Sequence, residues 1–303
     1  MKIIYDKCFE EHQTGPNHPE TPGRVRAIRE GFAQAEVQFS PLPARSCSRD
    51  KLELVHSSGY IDRVEKFSAA EKPLNNDTPL CARSYEIALA AAGSALQLGE
   101  EALAGRNGFG FLRPPGHHAE KNQGMGFCLF NNIAVLAADL LGRGLKAAIV
   151  DIDVHHGNGT QEIFYREKDV YYLSFHQHPF YPGTGKEEER GAGDGKNTTL
   201  NIPLPAGAGW EKIEQSWRGQ ARPEVEEFNP DILLVSAGFD AHRDDPLGGL
   251  NLTDSDYLEF AGHLRKFAEE NCSGRVVSLL EGGYNLTTLR RLAPKFAGEL
   301  CGK

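Results

Sequence analysis

Short apolar runs alternate with amphipathic stretches along the chain. Lys2–Tyr5, Phe109–Leu112, Ala147–Val150, Val170–Phe175, Leu200–Pro203, Ile232–Ser236 and Val276–Leu280 have the length and continuity of buried strands. Helical periodicity runs over 22–35, 84–104, 130–141, 210–227 and 254–271. Thr21 and Pro22 open the first of these helices, Gly31 weakens it near its end, and Asn229-Pro230 closes the fourth. Strands with no polar face that alternate with helices predict an α/β chain, in which a central, mainly parallel sheet lies between two helical layers. No repeat, low-complexity tract or composition break interrupts the pattern, so residues 1–303 are expected to form a single domain.

The apolar runs end in polar clusters. Phe109–Leu112 leads into Arg113-Pro114-Pro115-Gly116-His117-His118, and Ala147–Val150 into Asp151-Ile152-Asp153-Val154-His155-His156. Ile232–Ser236 leads into Gly238-Phe239-Asp240, and Val276–Leu280 into Glu281-Gly282-Gly283-Tyr284. Parallel sheets bind ligands beyond the carboxyl ends of their strands, so these four loops are expected to converge.

Composition narrows the function. The net charge is −9 and no Lys/Arg cluster occurs, which argues against nucleic-acid binding. No apolar run approaches ~18 residues, and the stretch at Met1 is too short for a secretory signal, so no membrane association is expected. Six cysteines lie scattered without a C-x-x-C pair, which fits a reducing, cytoplasmic setting. Six of the eleven histidines fall between residues 117 and 178, and that bias points to a site.

Asp151, Asp153 and His155 are spaced by two. If extended geometry persists beyond the strand, their side chains share a face and can grip a metal, with Asp240 the best candidate for a further ligand. Two carboxylates and one imidazole would leave a coordination position open, as in catalytic sites. A polar turn capping the next helix would also carry Asp-x-Asp-x-His, but the following His-Gly-Asn-Gly and the second aspartate loop favour a metal. Such a site acidifies water toward pKa ~7, and the His117-His118 pair could take the proton. Tyr284 could donate to a developing oxyanion.

Together these residues resemble the histone deacetylase family of the arginase–deacetylase fold, specifically its class II-like and bacterial amidohydrolase branch. The matching stretches include His18-Pro19-Glu20 with Arg24, 113–118, 126–132, 151–161, 182–185, 236–240 and 281–284. The resemblance implies one Zn2+ per chain on Asp153, His155 and Asp240, with a structural K+ near Asp151 and Ser174. It further implies His118 as general base and then acid, His117 paired with Asp151 as electrostatic partner, and Tyr284 as oxyanion donor. Gly126, Phe127 and Tyr181 would line an acyl-lysine tunnel, and Arg24 an acetate-exit channel. Asn158 stands where class I members have aspartate, so His118 should stay neutral to lower pH. Asn197 replaces a usual glycine, a substitution that a positive φ would tolerate.

The implied activity is zinc-dependent deacetylation of acyl-lysine in proteins or peptides, with acetylated polyamines or other small amides as the alternative. Polyamine-selective members carry glutamate seven residues after the metal aspartate, where this chain has Leu247. Asp244, Asp245 and Glu187–Glu189 could still place negative charge near the mouth. A binuclear manganese ureohydrolase would need a carboxylate where Gly157 stands. A non-catalytic acyl-lysine reader would not need His117, His118 and Tyr284. Zinc, iron and cobalt all suit an oxygen-rich Asp₂His set.

Overall fold

The structure, a computed structural model, describes residues 1–302. The strands are β1 (Lys2–Ile4), β2 (Ser40–Pro41), β3 (Gly108–Gly110), β4 (Ala147–Asp151), β5 (Val170–Gln177), β6 (Thr199–Leu204), β7 (Ile232–Ala237) and β8 (Val276–Leu280). They form one eight-stranded sheet in the order β2-β1-β3-β8-β7-β4-β5-β6. Every adjacent pair is parallel. The helices are α1 (Gly23–Gln34), α2 (Arg49–Leu52), α3 (Ser58–Ala69), α4 (Ser84–Leu103), α5 (Asn132–Leu141), α6 (Asn158–Phe164), α7 (Trp210–Ser216), α8 (Arg222–Phe228), α9 (Asp254–Asn271) and α10 (Leu286–Cys301).

Apart from the exposed two-residue edge strand β2, the strands lack alternation because both their faces are buried. Ala148 and Val150 of β4 belong to a core cluster shared with residues of α1, α7, α8, α9 and α10, whereas Ala147 and Ile149 belong to one shared with residues of α2, α3, α4 and α5. This gives the three-layer α/β/α arrangement of the arginase–deacetylase fold. The long helix expected over 210–227 is divided by a π-helical turn at Trp217–Ala221. There the buried Trp217 ring packs between Phe260 and Phe267, with centroids 5.8 Å from each.

β3, β8, β7 and β4 are consecutive in the sheet. Their carboxyl ends therefore bring the four polar loops side by side.

Candidate metal centre and pocket

Beyond β4 the chain does not stay extended, contrary to the expectation that 151, 153 and 155 share a strand face. The Asp153 N–H donates to Asp151 Oδ1 at 3.2 Å and the His155 N–H to Asp153 Oδ1 at 2.9 Å, so successive side-chain turns redirect the backbone. Asp151 consequently faces His117, while Asp153 and His155 meet Asp240. One ligand atom from each of Asp153, His155 and Asp240 lies within 4.8 Å of the others, and the cluster is buried.

The donor set fits a cation. His155 Nδ1 lies 3.0 Å from Asp153 Oδ1 and 3.2 Å from Asp240 Oδ2. Asp240 Oδ2 is buried and makes no hydrogen bond of good geometry. Burial and the Asp153 carboxylate push Asp240 up to about 7. Burial would lower His155, but Asp153 and Asp240 outweigh it and hold the imidazole at about 10. Without an ion these groups demand a proton, so a divalent cation would satisfy the same deficit. The backbone leaves room for this: a Cβ at Gly282 would fall 2.0 Å from Asp240 Oδ2, and one at Gly238 would fall 2.3 Å from Asp153 Oδ2.

Two histidine pairs flank the cluster. His117 Nδ1 lies 3.0 Å from Asp151 Oδ2, which also accepts from the Tyr172 hydroxyl at 3.2 Å. Burial opposes charge on His117, yet Asp151 and Asp153 hold it at about 10. His118 Nδ1 lies 2.7 Å from Asn158 Oδ1. Burial, with His117 and His155 nearby, pushes His118 well below the ordinary imidazole value. Ser174 is the register partner of Asp151 across β4 and β5, and its Oγ lies 2.9 Å from His176 Nδ1.

A cavity of about 240 Å³ opens over these groups, its wall including His118, His155, Gly126, Phe127, Tyr181 and Leu247. Gly126 adopts φ +55°, and a Cβ there would fall 2.4 Å from the His118 ring. Phe127 follows at φ 69°, an uncommon conformation for a bulky side chain, and stands edge-on to Tyr284 with centroids 5.8 Å apart. Tyr181 stands edge-on to His118 at 5.3 Å.

Tyr284 also lines the cavity, and its hydroxyl makes no hydrogen bond to the described residues. Its loop is held from both sides. Asp245 Oδ2 accepts from the Tyr284 and Asn285 N–H groups at 2.6 and 3.0 Å, and Asp245 Oδ1 from the Leu247 N–H at 3.0 Å. Asp245 is thus buried structural support rather than charge at the mouth, and Glu189 is engaged with Gln161. Arg24 donates to the carbonyls of Gly283 and Glu281, and its guanidinium stands 5.1 Å from the Tyr284 ring centre. Glu20 binds both Arg24 and Arg113, and these charges outweigh its burial to hold its carboxyl at about 2.

Two pocket residues escape the sequence reading. Phe180 stacks on His155 at 5.3 Å and 16°, and Asp77 lines the cavity 3.4 Å from the Tyr181 hydroxyl. Asp77 sits in the tight turn enclosed by the Asn75–Thr78 bridge and belongs to no motif, so no local signal marks its place in the cavity. Phe180 adjoins Tyr181 in an aromatic pair, a signal that could have been read. Asn197, as the positive-φ argument expects, adopts φ 69°.

Known proteins bear on this geometry. The histone deacetylase domain model matches residues 18–300. The chain is 40% identical over 301 residues to histone deacetylase 10, chloroplastic, from Oryza sativa subsp. japonica, covering 90% of this chain and 67% of the rice protein. It is 39% identical over 292 residues to a probable deacetylase of Archaeoglobus fulgidus, covering 94% and 81% of the two chains. A crystal structure of the HDA15 HD domain superposes with a TM-score of 0.92 at 37% identity, covering 99% of this chain and 89% of that one. With its sheet order, its clustered loops and this match along nearly its whole length, the chain belongs to the histone deacetylase family.

Proposed function

We propose that this protein is a zinc-dependent deacetylase that hydrolyses the amide of acetylated or short-acylated lysine in proteins or peptides. The observation that carries the reading is one cavity whose lining brings together His155 of the carboxylate-rich cluster, His118 and Tyr284. Asp153, His155 and Asp240 would hold the zinc, and Asp151 with Ser174 a potassium ion. Bound zinc would supply Lewis acidity toward the acyl carbonyl and lower the pKa of water in the site.

The chain's own residues account for the proton movements. His118, kept neutral by its burial and by the charged His117 beside it, accepts a proton from the attacking water and returns it to the departing amine. His117, held charged by Asp151, contributes fixed positive charge beside the developing oxyanion. The Tyr284 hydroxyl, which has no hydrogen-bond partner among the described residues, donates to that oxyanion. Phe127, Phe180 and Tyr181 exclude water around an aliphatic acyl-lysine stem.

A second reading, hydrolysis of acetylated polyamines, is favoured by the Asp77 carboxylate in the cavity wall, while Leu247 offers a second ammonium group nothing. The test of the metal assignment is Asp153→Ala. It is expected to lose bound zinc and activity together, with zinc content read by elemental analysis. Full zinc occupancy with normal turnover in this variant would refute the assignment.

A further inference from the structure

Beyond His118 lies a second polar contact that fixes its ring. Asn158 presents Oδ1 to His118 Nδ1 at 2.7 Å, and its Nδ2 donates to Glu120 Oε1 at 2.7 Å. A primary amide has one donor end and one acceptor end, whereas a carboxylate only accepts. Glu120 therefore dictates which way the Asn158 amide points. A carbonyl cannot donate, so Nδ1 of neutral His118 must carry the proton, and Nε2, without a hydrogen bond among the described residues, keeps its lone pair.

We propose that Glu120 is a positioning residue that sets the His118 tautomer through the Asn158 amide. The proposal rests on the reading of His118 as general base, because only the Nδ1–H tautomer leaves Nε2 able to accept a proton. Glu120 is itself held in place. Gln123 Nε2 donates to Glu120 Oε2 at 2.7 Å, the Glu120 N–H donates to the Gln123 carbonyl at 2.8 Å, and the Glu120 carbonyl lies 3.0 Å from His56 Nδ1. The other contact of Asn158 Nδ2 is the weak acceptor Met125 Sδ at 3.4 Å, which cannot hold the amide against rotation. Rotated, the amide would offer N–H to His118 Nδ1 and select the tautomer that cannot act as base.

The same geometry couples the identities of two positions. An aspartate at 158 would set its carboxylate against that of Glu120 across a contact of 2.7 Å. Asn158→Asp should therefore be harmful while Glu120 is charged, and Glu120→Gln should relieve the harm.

The test uses zinc-loaded protein with ring-¹⁵N histidine and a long-range ¹H–¹⁵N correlation that separates the two tautomers. Wild-type His118 is expected as Nδ1–H, and Glu120→Ala as a mixture or as Nε2–H. With an acetyl-lysine peptide, Glu120→Ala should lower kcat ~10–100-fold, the usual cost of losing a partner that orients a functional histidine. KM should stay within about twofold, Glu120→Gln should lose less than Glu120→Ala, and Asn158→Ala should make the Glu120→Ala cost vanish. An unchanged tautomer in Glu120→Ala, or an equally large kcat cost on the Asn158→Ala background, would overturn the proposal. If Glu120→Ala fails to fold, the comparison of Asn158→Asp with Asn158→Asp/Glu120→Gln decides, since no gain from the second substitution contradicts it. Absence of any peptide turnover by wild type would sink the deacetylase reading, while the tautomer measurement still decides the role of Glu120.

Discussion

Tyr284 concentrates the chemical argument in one oxygen atom. Its backbone is pinned by Asp245, its ring is backed by Arg24 and Phe127, and its hydroxyl has no partner among the described residues. Burial, with Asp240 and Asp153 nearby, pushes the phenol well above its ordinary pKa, so it remains a donor throughout the neutral range. A hydrogen bond made mainly to the oxyanion is stronger in the transition state than in the ground state. Tyr284→Phe should therefore lower kcat by ~10²–10³ while KM changes little and zinc content and melting temperature stay normal. Near wild-type kcat in a folded, zinc-loaded variant would remove the oxyanion role. Much of this site was legible in residue order, because each strand ends in its polar loop and the loops carry unlike chemistry. The meeting of Asp153, His155 and Asp240 follows from that order. Glu120, Asp77 and Asp245 were not legible, since acidic residues in loops carry no sign of what their carboxylates accept.

Among the elements, the contact of α1 with α10 shows how local rules are broken for packing. Pro294 lies inside α10 and has no N–H to give the Arg290 carbonyl, its partner four residues back. Gly31 of α1 sits against that carbonyl, where a Cβ would fall only 2.1 Å from Arg290 O. The glycine that weakens α1 as a sequence pattern is thus what lets the two helices touch. Gly31→Ala should destabilise the fold by about 1–3 kcal/mol through overpacking, despite its better helix propensity. Thermal melting reads this directly, and a stabilised variant would contradict the close contact. The same proline explains why α10 is absent from the sequence reading, although most of its residues are buried. The polar sequence of α3 hides it for a different reason: only Tyr60, Ile61, Val64 and Ser68 face inward, too narrow a stripe to stand out. The central strands and the long helices α4 and α9 were readable because burial on every side, or a strong stripe with a capping Thr253, leaves an unambiguous pattern, whereas the two exposed residues of β2 leave none.

For the molecule as a whole, buried ionisable groups set the acid limit of stability. His12, His56 and His176 are lowered to about 4 by burial, and His156 to about 3. His56 makes the cause concrete, because its Nε2 accepts from the Asn131 N–H at 2.9 Å and cannot do so once protonated. As pH falls below 6.5, the unfolded chain gains protons at these positions and the folded one does not, so stability drops until the folded values are reached. Asp240 and Glu281, both raised to about 7, and Asp151 and Asp245, also raised by burial, act in the opposite sense, but His118 and His263 are lowered too, so the lowered histidines outnumber them. Glu20 extends the loss: its folded value of about 2 against an ordinary 4.5 contributes on the order of 3 kcal/mol above pH 4.5, lost as pH falls through 2. Melting temperature should therefore decline steadily from pH 6.5 to 4 and further below, and a flat profile would contradict these burial effects. Zinc-dependent turnover selective for acyl-lysine is read from kcat/KM for an acetyl-lysine peptide and an acetylated polyamine, measured on the same zinc-loaded protein before and after chelation. Faster turnover of the peptide is expected, lost on chelation and restored by zinc. Preference for the polyamine, or activity that survives complete removal of metal, would contradict it.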